Sequence, residues 1–191
     1  MKFTTRQIAL MGLLAAINGV LEITLGNYLH LLQFYFTGNI MIGFNCIVYL
    51  MGKKAISQRG TILVIGFISA LIKFILGWNI NAAIAILIEA LLMELTINII
   101  GFNIVGAVTG AVMANMWALF QKLIVLGIIG GAGFINTIKV ITDKTAMFFN
   151  IDKGYMFLLI MILLFCYSLW GVLFGTIGWK LTGRLSSKIY T

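Results

Sequence analysis

Apolar runs of about twenty residues, separated by short polar or glycine-rich breaks, leave this chain little choice of fold. A bilayer core takes about 20 consecutive apolar residues per helical crossing. With 62% of 191 residues apolar and 9% charged, the sequence predicts an all-α integral membrane protein of one domain. Six spans of about 20 residues account for most of the length and leave no room for a soluble enzyme domain. The few charges therefore stand out. Most mark the ends of runs, but Glu22, Lys73, Glu89, Glu94 and Lys122 lie within them or near their edges. An ionisable group at membrane depth costs from about 3 to more than 10 kcal/mol and faces a cavity or a partner rather than lipid.

The spans are expected at about 7–26, 36–51, 61–76, 82–100, 104–129 and 155–179. Glycine and asparagine mark the breaks: Gly77 with Asn79 and Asn81, Gly101 with Asn103, and the cluster Gly130, Gly131 and Gly133. The segment 130–154 holds Lys139, Asp143, Lys144, Asp152 and Lys153, too many charges to span, and is expected as a connection on the outer side. The basic start at Lys2 and Arg6 faintly resembles a signal peptide. The run after it carries Glu22 and shows no convincing small-residue cleavage site, so it is expected as the first span.

The formal charge of +8 arises from Lys and Arg gathered at span ends. Lys2, Arg6, Lys53, Lys54, Arg59, Lys180, Arg184 and Lys188 fall on one side of the bilayer if there are six spans and both termini are cytoplasmic in the cell membrane. The partner they predict is the bilayer, not nucleic acid. Cys46 and Cys166 show neither disulfide nor metal-site spacing, and the single His30 supports neither a metal site nor a triad. No nucleophile elbow, zinc motif or phosphate-binding loop occurs, so neither an enzyme nor a cofactor is predicted.

Helical rise of about 1.5 Å per residue places Glu89 roughly 10 Å below the start of the fourth span and Glu94 roughly 18 Å below it. Glu22, Lys73 and Lys122 fall in the same outer half as Glu89. A polar cluster of Glu22, Lys73, Glu89 and Lys122, roofed by His30, Gln33, Trp78 and Asn81, is the candidate ligand site. Lys73 lies close enough to the surface to snorkel, and Glu94 lies too deep for an outer pocket; both read first as structural. Glu89 and Lys122 read either as ligand contacts or as charges that hold helices in register. Small residues supply a second pattern. Gly106, Gly110 and Ala114 on the fifth span and Gly171 and Gly175 on the sixth suit close helix packing. Ala9, Gly12, Ala15, Ala16 and Gly19 spread around more than half of the first helix, which therefore suits packing both inward and against an external partner.

In its size, its six spans, the lead Thr5, Arg6, Gln7, Ile8, Ala9, Leu10 and the loop from Gly26 to Phe36, Thr37 and Gly38, the chain resembles the S component, the substrate-binding membrane subunit, of energy-coupling factor (ECF) transporters. The resemblance implies an S-component-like bundle that captures a vitamin, related metabolite or metal ion from outside. A transmembrane coupling subunit and two ATPase subunits would then drive uptake. It also implies a pocket built from the first loop and helices four to six, and contact with the coupling subunit through an AxxxA-type pattern on the first helix. Gly12 to Ala16 and Ala15 to Gly19 are the nearest equivalents here. The competing readings are a stand-alone secondary carrier or small channel, which would show related halves or broken helices, and a membrane assembly scaffold.

Overall fold

A computed structural model describes residues 3–32, 36–129, 131, 133–152 and 154–189. Seven α-helices follow one another among these residues: α1 Thr5–Leu31, α2 Thr37–Ala55, α3 Thr61–Gly77, α4 Ile80–Ile100, α5 Ile104–Ile124, α6 Phe134–Phe149 and α7 Met156–Ile189. A π-helical turn, Val125–Ile129, extends α5, and no strand occurs among the described residues. The protein is therefore all-α. Among the described residues, four stretches are long and apolar enough to cross a membrane: Thr5–Leu29, Ile80–Ile100, Ile104–Ile128 and Met156–Arg184. By length and composition, these are four of the six expected spans. α3 is apolar but has only 17 residues, and α2 dilutes its apolar run with Asn39, Asn45, Lys53 and Lys54.

Large apolar side chains face outward as well as inward, and several polar ones are buried with the apolar core. Phe67, Phe157 and Phe165 are exposed, while Asn18, Asn39, Asn45, Ser69, Glu89, Glu94 and Asn115 are buried. An apolar exterior with buried polar groups that bond to one another is stable where the solvent is lipid. Packing uses the small residues. α5 and α7 cross where Gly171 and Gly175 meet Val108 and Val112; a Cβ on Gly175 would lie 2.8 Å from the Val108 Cα. α3 and α4 close in the same way at Gly66 and Ala90.

The turns are set locally. Asn79 and Asn103 cap α4 and α5, their side chains accepting hydrogen bonds from the amides of Ala82 at 3.0 Å and Gly106 at 2.8 Å. Trp78 ends α3 in the left-handed region at φ 48°, an uncommon place for a bulky residue.

Three boundaries differ from expectation. α1 continues to Leu31 and takes in the first residues of the expected loop. α7 runs through Lys180 and Arg184, past the expected end of the last span. Segment 130–154 contains a helix, α6, whose Thr137, Ile141, Thr142, Thr145 and Ala146 are buried. Those positions recur at three- and four-residue spacing, the signature of one buried helical face. Its lysines and Asp143 disqualified the segment as a span without disqualifying it as a helix.

Candidate ligand-binding site

The C-terminal ends of α1, α3 and α5 meet the N-terminal ends of α2 and α4 at one end of the bundle, and α6 joins them. They enclose a cavity of about 620 Å³, within the few-hundred to thousand Å³ range of small-molecule sites. Its charged lining comes from five helices: Glu22 on α1, Lys73 on α3, Glu89 on α4, Lys122 on α5 and Lys144 on α6.

Glu22 and Glu89 are joined through Asn45 of α2. Its Nδ2 donates to Glu22 Oε1 at 3.0 Å and to Glu89 Oε2 at 3.0 Å. One amide thus uses both of its donors on two carboxylates. The Lys73 ammonium lies 3.6 Å from Glu22 Oε2 and donates to the Glu22 carbonyl at 2.8 Å. Glu22 therefore has a cation beside it. Glu89 is 3% exposed, and its hydrogen bond comes from a neutral amide. Across the cavity the Lys122 ammonium donates to the Tyr167 hydroxyl at 2.7 Å.

Of the residues expected at the site, Glu22, Lys73, Glu89, Lys122 and Asn81 line this one cavity. Trp78 does not; it is 87% exposed at the α3 to α4 turn. Gln33 and the His30 side chain lie outside the described residues. Glu89 and Lys122 bond to Asn45 and Tyr167 rather than to each other. Sequence reasoning missed Asn45 and Lys144. A buried asparagine in an apolar run was a signal for the first; the helical period of α6, which puts Val140, Ile141 and Lys144 on the cavity, was the signal for the second.

Glu94 sits apart, at the opposite end. It accepts from Lys53 Nζ at 2.8 Å, from the backbone amides of Gly60 at 2.8 Å and Ile62 at 2.9 Å, and from Asn98 at 3.2 Å. A carboxylate on the first amides of α3 is a helix cap, and its donors leave it no role at the cavity. The small residues of α1 divide by face. Ala15 and Gly19 are buried, and a Cβ on Gly19 would lie 2.6 Å from Ile72 Cγ2. Ala9 and Ala16 are exposed, and a Cβ on Gly12 would meet nothing within 4 Å. Among the described residues, no three His, Cys, Asp or Glu side chains are grouped to hold a metal ion.

No known protein family, curated protein or solved structure matches this chain.

Proposed function

We propose that this chain is a membrane-embedded binding subunit of the energy-coupling factor type, which captures a small molecule from outside the cell for uptake driven by the ATPases of partner chains. The observation that carries the reading is the cavity of about 620 Å³, with its buried charges, at one end of the bundle. A binding subunit needs such a pocket. A channel would need a path through to the other end, where Lys53 and Glu94 are tied to each other and to the start of α3.

In this reading all of α1 to α5 and α7 cross the bilayer, the shorter α2 and α3 being accommodated by neighbouring helices and local thinning. Arg6, Lys53, Lys54, Arg59, Lys180 and Arg184 belong to the end opposite the cavity, which makes that end cytoplasmic by the positive-inside rule. The cavity then opens outward. The outward stripe Ala9, Gly12 and Ala16 is the face offered to a transmembrane coupling subunit.

Purification of the tagged chain from its native membrane tests the proposal. The expected result is coelution with a membrane subunit and with phosphate-loop ATPases, together with ATP-dependent uptake by the reconstituted complex. Uptake by the chain alone in proteoliposomes, without ATP, would establish a secondary carrier and overturn the proposal.

A further inference from the structure

We propose that the cavity selects a small, non-aromatic zwitterion: an ammonium group and an acidic group on a short saturated chain, the ammonium bound at Glu89 and the acid between Lys122 and Lys144. The inference rests on the binding-subunit reading and adds the chemical class of the ligand.

Three features of the lining point to this class. First, none of the described lining residues is aromatic. A flat heterocycle is ordinarily gripped by stacking, and the walls here are instead Met41, Ile42, Ile86, Val125, Leu126 and Ile141 with alanines between them. That surface suits methylene groups. Second, Glu89 is buried beside the cavity and close to a second carboxylate, Glu22, through their shared Asn45 donor. Lys73 answers the charge of Glu22. An ammonium group at Glu89 would answer the other, in a low-dielectric setting where a charge-assisted hydrogen bond counts for more than in water. Third, Lys122 and Lys144 approach from α5 and α6 and repel each other. An anion between two like-charged ammonium groups relieves that repulsion.

The charges of the lining lead to the same class. Among the described lining residues, three lysines and two glutamates leave one excess positive charge, which favours a ligand that is neutral or singly anionic overall. A purely cationic ligand would satisfy Glu89 but add to the repulsion at Lys122 and Lys144. A purely anionic one would leave Glu89 as it is. Neutral donors and acceptors, Asn81, Gln121 and Thr37, line the same space and suit the remainder of a polar ligand. The same chemistry occurs in soluble amino acids and in the ethanolamine phosphate headgroup of a lipid, so the test has an arm for each.

The full chain, purified in detergent, is extracted and its retained small molecules are identified by mass spectrometry. Binding is then measured by calorimetry and thermal unfolding with β-alanine, γ-aminobutyrate, 5-aminovalerate and phosphoethanolamine. n-Butylamine, butyrate and pyridoxine serve as monofunctional and aromatic controls. The expected result is that at least one bifunctional probe binds tenfold or more tighter than both butylamine and butyrate. Glu89→Gln and Lys144→Gln should each weaken it about tenfold, the effect of one charge-assisted contact. Glu89→Gln keeps size and Lys144→Gln keeps a polar, hydrogen-bonding side chain while removing the charge, and their unfolding temperatures without probe report whether folding survives. Should Glu89→Gln misfold, the exposed Lys144 still decides the question.

Preference for pyridoxine, or equal binding of bifunctional and monofunctional probes, would overturn the zwitterion and leave the binding-subunit reading standing. Retention of an ethanolamine lipid that soluble probes cannot displace would support the ligand chemistry and overturn capture of a soluble solute. Absence of both a retained molecule and any stabilising probe would overturn both.

Discussion

A carboxylate in this protein is defined by its donors more than by its depth. Glu94 has four, two of them backbone amides at the start of α3, whereas Glu89 has the Asn45 amide. Glu94→Ala strands the buried Lys53 ammonium and uncaps α3, so a loss of about 3 to 5 kcal/mol is expected. Lys53→Met leaves Glu94 its amide donors and should be distinctly milder. Thermal unfolding of both variants in the same detergent checks the order, and an equal loss would show that the cap contributes nothing. Asn45→Ala removes the bridge between Glu22 and Glu89 and leaves two carboxylates facing each other. An expected cost of about 1 to 3 kcal/mol should be recovered in large part by adding Glu89→Gln, which ends the repulsion. Failure of the second change to rescue the first would mean that Asn45 acts through packing.

Small residues behave differently from one element to the next. On α7, a Leu at Gly175 would drive into the α5 backbone at Val108, and overpacking of that kind costs about 1 to 3 kcal/mol. Gly12 of α1 has open space beyond it. Gly12→Leu should therefore leave the purified chain folded, with ligand binding intact, yet abolish its association with a coupling subunit. Copurification of Gly12→Leu with the partner at normal yield would remove α1 from the proposed interface. α6 illustrates the same point for charge. Its buried face seats it on the bundle, and the Lys144 that made it unfit to span is part of the cavity wall.

Across the whole molecule, Arg6, Lys53, Lys54, Arg59, Lys180 and Arg184 lie at the end opposite the cavity, so topology and function are tested together. With Cys46 and Cys166 replaced by Ser, a single cysteine beside Asp143 should react with a membrane-impermeant thiol reagent applied to intact cells. One beside Gln58 should be spared. The reverse pattern would open the cavity to the cytoplasm and exclude capture from outside. Similar reactivity at both positions would change the number of crossings, the quantity on which length and apolarity alone give four rather than six.

The all-helical membrane character followed from run length, because apolar runs of about 20 residues suit a helix, which satisfies its backbone amides within the run, and are twice the length of a barrel strand. Helical rise was enough to bring Glu22, Lys73, Glu89 and Lys122 to one level, and all four line one cavity. Which charge meets which partner was beyond such reasoning. Rise specifies depth, but the azimuth of each side chain depends on how helices rotate against one another, and that is decided by contacts such as Gly175 on Val108 and Gly19 on Ile72. Tertiary packing therefore sent Glu94 to the start of α3, linked Glu22 to Glu89 through an asparagine on a third helix, and left Trp78 outside. It also folded a charged connection into α6, because a helix needs one apolar face to dock and that face exists only once there is a bundle to receive it.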